Sequence, residues 1–368
     1  MTLVFVNLLQ STGTKGGIEV YARELYRTLG TIDSEFEYVG YASSELAAKD
    51  HSWFPGTVID SGISGENRVS WAAGELFSVG SAAKKAKADL IHGPAMFGPL
   101  RPGRPLVISF HDLLYFSHPE LMQTSLFTEP VKWMERRGAA GATRIITISE
   151  YSARAIDRYL RFPRDRVDVI PLAGIAKPAA GGGGAQRRDD LYLAMGQRSP
   201  YKNFETVVRA MATIPEPQRP RLVITGSHGA DPLTPLVAEL GLGAWVELKS
   251  WVSTEELDEL TSTATALIDA TLATGFSLPA LEAMEIGLPL LMADTEVFRE
   301  VGAEAADYFD PKDPESLGRA ITKLRDDPAR RSELSALGRE RARGFSWQKV
   351  ALSTLDSFRA AVAEYPKR

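Results

Sequence analysis

Short runs of aliphatic and aromatic residues alternate with amphipathic stretches along most of this chain. In the first half, runs 3–8, 90–92, 106–110 and 144–148 carry the apolar pattern of buried strands, and stretches 18–29 and 150–160 carry helical spacing. That alternation predicts parallel βαβ units with helices on both faces of a sheet.

The pattern breaks at 171–188, where Pro178 and the run Gly181-Gly182-Gly183-Gly184 interrupt any periodicity, so this stretch reads as a linker. It then restarts. Strands at 191–195, 222–225, 246–248, 266–269 and 289–292, with helices at 203–211, 254–262 and 279–286, predict a second parallel sheet. The stretch 314–364 is helical by pattern, with Asp327-Pro328 opening one helix and Ser346-Trp347 capping another. A chain of 368 residues also exceeds what one core usually holds. The expected fold class is α/β, with two Rossmann-like doubly wound parallel-sheet domains facing across a cleft. The expected divisions are 1–172, a linker at 173–190, 191–345, and a C-terminal segment at 346–368.

Composition narrows the function classes. A formal net charge of −5 argues against broad nucleic-acid binding, which needs a basic surplus. With no cysteine there is neither a disulfide nor a thiolate metal site, and five scattered histidines leave little for a metal cage. The opening run Met1-Thr2-Leu3-Val4-Phe5 reads as a buried strand rather than a secretory signal, and no apolar stretch reaches the roughly 20 residues that span a bilayer. The expectation is a cytoplasmic protein whose membrane contact is at most peripheral, at the inner face.

In open parallel sheets, ligands sit beyond the carboxyl ends of the strands, where helix N-termini offer N–H groups to anions. Four loops occupy such positions. Thr12-Gly13-Thr14-Lys15-Gly16-Gly17 follows the first strand, and its paired glycines suit either a close phosphate or an ordinary tight turn. Ser109-Phe110-His111-Asp112 ends another strand, and His111 is either a structural histidine or one that orients a substrate hydroxyl. Gly196-Gln197-Arg198-Ser199-Pro200-Tyr201-Lys202-Asn203 places two cations beside a glycine and a helix start, as a diphosphate clamp or as solvated loop charge. In Thr274-Gly275-Phe276-Ser277-Leu278-Pro279, the amides of Gly275, Phe276, Ser277 and Leu278 precede a helix carrying Glu282. That carboxylate suits a ribose diol or simple complementation of the helix dipole.

Together, in this order and spacing, the four loops resemble glycosyltransferase family 4, retaining enzymes with the two-domain GT-B fold. Further matches are Thr147-Ile148-Ser149-Glu150-Tyr151-Ser152, Phe298-Arg299-Glu300-Val301-Gly302 and Tyr308-Phe309-Asp310-Pro311, so the resemblance covers nearly the whole chain. It implies a nucleotide-diphosphate sugar donor held mainly by the C-terminal domain, an acceptor on the N-terminal one, and a final helix crossing back to the first domain. Carried over, Gly16 and Gly17 face the diphosphate and His111 faces the transferred sugar. Arg198 and Lys202, beside Gly196, neutralise the leaving group in place of a metal. Gly275, Phe276, Ser277 and Leu278 hold sugar and phosphate, and Glu282 holds the ribose.

Two positions depart from the family pattern. The family's paired glutamates, with seven residues between them, appear as Thr274 and Glu282, and Gln197 stands where many members have arginine, a role assigned here to Arg198. The expected reaction moves a hexose or deoxyhexose from a GDP- or UDP-type donor to a saccharide, lipid-linked or small-molecule acceptor, with neither cofactor nor metal. The alternatives are an epimerase or phosphorylase on the same fold, and, given Thr274, a non-catalytic sugar-nucleotide-binding protein. For the acceptor, Tyr21, Tyr115, Phe116 and Trp133 are candidate stacking or core residues, and Lys84-Lys85 and Arg136-Arg137 are candidate membrane-facing pairs.

Overall fold

The computed structural model describes residues 1–13, 16–122, 125–175, 187–188 and 190–366. It divides into two compact units. One comprises Met1–Pro119, Thr124–Leu172 and Ser346–Arg368, and the other Glu120–Gln123 and Ala173–Phe345. Of the expected linker, residues 176–186 and 189, including Pro178 and the glycine run, lie outside the described residues.

The N-terminal unit holds a seven-stranded sheet: β1 (Thr2–Leu8), β2 (Phe36–Ala42), β3 (Thr57–Asp60), β4 (Leu90–Gly93), β5 (Leu106–Phe110), β6 (Arg144–Thr147) and β7 (Val167–Val169). Their order is β3-β2-β1-β4-β5-β6-β7, and every pairing is parallel. Strands buried on both faces need continuous apolar runs, and β5, Leu-Val-Ile-Ser-Phe, is buried at every position. Phe5, Ile91, Ile108 and Ile145 form the centre of its core.

The final helix, Trp347–Glu364, belongs to this unit and packs against the helix Gly17–Leu29 and against β4, β5 and β6. Phe358 is fully buried on it, with its ring 5.7 Å from Phe36 and 5.1 Å from His92. Arg144 on β6 ties the helix end to the sheet by ion pairs to Glu364 at 2.6 Å and Asp168 at 2.7 Å. As expected, Ser346 caps this helix by accepting from the Lys349 amide, and Asp327 caps the helix Pro328–Ala342.

The C-terminal unit holds β8 (Leu191–Met195), β9 (Arg221–Ser227), β10 (Val246–Ser250), β11 (Ala266–Asp269), β12 (Leu290–Ala293) and β13 (Asp307–Phe309). They are all parallel, in the order β10-β9-β8-β11-β12-β13. Both units are Rossmann-like. The strand order reverses between β1 and β4 in the first sheet and between β8 and β11 in the second. Such a reversal opens a crevice beyond the carboxyl ends of the two central strands, because their crossover helices leave on opposite faces. Among the described residues, no helix is long and apolar enough to cross a membrane.

Candidate functional site

In the C-terminal unit, the crevice between β8 and β11 is lined by two of the loops singled out from sequence. The β8 loop turns at Gly196, whose φ is +135°, a region that favours glycine. A Cβ on Gly226, at the end of β9, would lie 2.6 Å from the Gly196 carbonyl oxygen, so the two strand ends approach as closely as only glycine allows.

Arg198 turns inward from this loop. Its ion pair with Asp231 is 2.8 Å long, and the two side chains are only 7% and 9% exposed. Its remaining N–H groups donate to the carbonyls of Gly196, Ile224 and Thr225, at 3.1, 3.0 and 2.8 Å, and the guanidinium lies 5.0 Å from the Phe204 ring centroid. In this arrangement the Arg198 fork is occupied by the fold.

Lys202 points differently. Its Cε lies 3.4 Å from where a Cβ on Gly196 would stand, and its Nζ donates to Thr271 Oγ1 at 3.3 Å. Thr271 belongs to the β11 loop, which is joined to the β8 loop by the Leu272 amide donating to the Tyr201 carbonyl at 2.8 Å. The Thr271 hydroxyl in turn donates to Asp269, whose second carboxylate oxygen accepts from Ser277 Oγ at 2.7 Å. Ser277 caps the helix Leu278–Glu285 by accepting from the Ala280 amide at 3.2 Å. Lys202, Thr271, Asp269 and the start of that helix therefore form one connected polar group at the crevice.

Thr274, where a carboxylate was expected from the family pattern, folds back on its own loop. Its hydroxyl donates to the Phe276 carbonyl at 2.5 Å. Glu282 is part-buried one turn into the helix. Burial, and then the neighbouring Glu285, push its carboxyl up to about 7 against the lowering effect of a hydrogen bond from the Ile175 amide. Gly174 leaves room for this acidic pair, because a Cβ there would come within 2.4 Å of the Glu285 carboxylate.

In the N-terminal unit, Gly16 and Gly17 are exposed at the start of the helix Gly17–Leu29, while Thr14 and Lys15 lie outside the described residues. A Cβ on Gly16 would meet nothing within 4 Å, so local packing does not require glycine there. His111 sits at the carboxyl end of β5 and is 7% exposed. Its Nε2 lies 2.9 Å from the Pro94 carbonyl, which can only accept, so Nε2 carries the proton and Nδ1 is the ring's acceptor. Burial lowers its pKa to about 4, and the bond to Pro94 opposes that shift. The imidazole is neutral near pH 7.

Tyr21 meets His111 edge-on at 4.7 Å and begins a buried chain of hydrogen bonds. Its hydroxyl lies 3.0 Å from Ser109 Oγ, Ser109 lies 3.1 Å from His92 Nε2, and His92 Nδ1 lies 2.5 Å from the Tyr26 hydroxyl. Sequence reasoning found His111 and missed this support, as it missed Asp231, Asp269 and Thr271. Asp269 did leave a signal: an acid ending a buried apolar strand, two residues before a threonine. Of the other aromatics considered, Trp133 is 47% exposed, and Phe116 stacks on Tyr159 at 5.7 Å.

Comparison with known proteins assigns each half of the chain. Residues 15–173 match the family model described as Glycosyltransferase Family 4, and residues 182–341 match that of Glycosyl transferases group 1. The O-antigen chain mannosyltransferase B of Escherichia coli is 28% identical over 294 residues, covering 76% of each chain. A D-inositol 3-phosphate glycosyltransferase of Frankia alni is 27% identical and covers 96% of each. Among solved structures, sucrose-phosphate synthase from Thermosynechococcus elongatus superposes with a TM-score of 0.76 at 19% identity, covering 98% of both chains. Anabaena HepE in complex with UDP gives 0.73 at 17%, covering 98% of this chain and all of that one. Both likenesses are in fold.

Proposed function

We propose that this chain, a glycosyltransferase of the family 4 type, moves a hexose or deoxyhexose, with retention and without a metal ion, from a GDP- or UDP-type nucleotide sugar to a hydroxyl of a saccharide, lipid-linked or small-molecule acceptor. One observation carries this reading: at the β8/β11 reversal, Lys202 and the Ser277-capped helix start meet on two adjoining loops. A point cation beside a helix N-terminus stabilises a diphosphate, and its effect grows as negative charge develops on departure.

In this reading the acceptor hydroxyl attacks the anomeric carbon on the face from which the diphosphate leaves. The bond from that carbon to the phosphate oxygen breaks, and the hydroxyl proton passes to that oxygen. Lys202 and the amides of Gly275, Phe276, Ser277 and Leu278 take up the leaving charge, and Gly16 and Gly17 are the first unit's candidates for a contact to phosphate. Neutral His111 accepts from a sugar hydroxyl through Nδ1. Glu282 accepts from the ribose diol. Arg198 serves by holding the Gly196 turn in place through Asp231.

The first test is a thermal-shift screen with UDP, GDP, ADP and their hexose conjugates, since a ligand binding only the folded state raises its stability. GDP-mannose and UDP-glucose lead the panel, because relatives are named mannosyltransferases and a structural neighbour binds UDP-glucose. No shift with any of them overturns the reading. With a donor in hand, NMR of the product fixes the anomer, and an unchanged rate in excess EDTA checks metal independence. A shift without transfer or slow donor hydrolysis would instead favour a non-catalytic binding protein, the reading that Thr274 keeps open.

A further inference from the structure

The carboxylate of Asp269 closes the strand β11 at the reversal point and is 8% exposed. A buried carboxylate beside a diphosphate site is electrostatically unfavourable unless something nearby makes use of its charge. Its contacts say what does. One oxygen accepts from both the amide and the hydroxyl of Thr271, and the other accepts from Ser277 Oγ. Because the Thr271 hydroxyl gives its only proton to Asp269, its lone pairs are what it presents to Lys202 Nζ, 3.3 Å away. The carboxylate and the ammonium are thus joined through one hydroxyl of fixed polarity. The same carboxylate steadies the serine that caps the helix Leu278–Glu285.

We infer that Asp269 is a positioning residue for the donor diphosphate, acting on Lys202 through Thr271 and on the helix start through Ser277. The inference rests on the reading of this crevice as the diphosphate site. Without the relay, the four-carbon stem of Lys202 has several rotamers open to it and must be ordered at the moment of binding. With it, the ammonium is already held between the two loops, at the cost of one shared hydrogen bond when phosphate arrives.

The test is a double-mutant cycle read by calorimetric affinity for UDP and GDP, using Lys202→Ala, Asp269→Asn, Thr271→Val and the pairwise combinations. Wild type binds at least one of the two nucleotides, and each single substitution weakens that affinity by about tenfold or more. In the Lys202→Ala background, Asp269→Asn and Thr271→Val cause less than a twofold further change. Thr271→Ser, which keeps the hydroxyl, restores the affinity that Thr271→Val loses. A merely structural carboxylate would give losses that add to that of Lys202→Ala, and additivity in both cycles overturns the inference while leaving the crevice assignment standing. Tighter binding by Asp269→Asn overturns it too, because the carboxylate would then act only as a repulsive charge. Failure of wild type to bind either nucleotide removes the diphosphate reading, and the inference with it. Should Asp269→Asn not fold, the Thr271 cycle decides alone.

Discussion

Arg198 and Asp231, thirty-three positions apart, meet at 2.8 Å with less than a tenth of either side chain exposed. Removing one partner of a buried ion pair leaves the other charge uncompensated, which costs about 3–5 kcal/mol. Arg198→Ala and Asp231→Ala should each lower stability by that amount in chemical denaturation, and Arg198→Lys should not rescue it, since an ammonium cannot reproduce the planar fork. An Arg198→Ala protein with a normal denaturation midpoint and a large loss of donor affinity would place the guanidinium on the diphosphate instead.

Lys202 lacks that enclosure. Among the described residues its ammonium has one hydrogen bond, at 3.3 Å, so Lys202→Ala should leave the melting temperature nearly unchanged while lowering turnover by about 10²–10³-fold, the scale for losing a preorganised charge at a leaving group. Near-normal rates in that variant would sink the catalytic role.

Glu282 titrates near neutral pH, and in the proposed reading it holds the donor ribose. Its carboxyl, held up to about 7 first by burial and then by Glu285, is protonated below that pH and ionised above it. Only the ionised form accepts both hydrogen bonds of a ribose diol. Affinity for UDP or GDP should therefore rise several-fold between pH 6 and pH 8. Glu282→Gln should be weaker and flat with pH, and a 2′,3′-dideoxy nucleotide should show no such rise in wild type. An equal rise for the dideoxy analogue would disprove the ribose assignment.

Glu75 gives the N-terminal unit an alkaline weakness. Burial holds its carboxyl up to about 8, with the hydrogen bond from Asn7 acting against the shift. Below the ordinary value of 4.5, folded and unfolded chains both carry the proton. Above it the unfolded chain ionises first, so the folded state loses stability until about pH 8. Glu75→Gln, which cannot ionise, should match wild type near pH 4. It should then gain on it by up to about 1.4 kcal/mol per pH unit as pH rises. Parallel stability curves from pH 4 to 8 would contradict the buried acid.

Phe358 tests the docking of the last helix. Truncation of a fully buried phenylalanine typically costs about 3–5 kcal/mol, so Phe358→Ala should destabilise the N-terminal unit by that much. The loss should appear in its hydrogen exchange and leave protection in β8, β9 and β11 unchanged.

How much of this was legible in the sequence depended on whether a segment's reason for folding was local. Runs 106–110, 191–195 and 266–269 coincide with β5, β8 and β11 residue for residue, because central parallel strands are apolar on both faces. The strand β2 was missed: Glu37 faces solvent and Gly40 breaks the apolar run. In β3 no position is fully buried, as befits an edge, and β7 and β13 are three residues each. The helix Ser125–Gly141 carries Pro130 inside it, an interruption that sequence reading takes for an end. Within the site, the loops were readable because each follows a strand and precedes a helix start. The inward turn of Arg198 was not, since it depends on Asp231 in a different loop, and a local window holds no trace of that partner.

The N-terminal unit is not contiguous: the stretch that holds its sheet ends at Leu172, and the segment that carries its covering helix begins only at Ser346. During vectorial synthesis the ribosome makes β1 to β7 first, then the entire second unit, and last the segment that seals His92 and Phe36 beneath Phe358. Domains generally mature in the order in which they emerge, yet here the earlier one must wait, with an apolar groove open, while the later one is completed. A stop codon that removes Phe358 would therefore uncover Phe36 and His92, in the half of the molecule most distant from it in sequence.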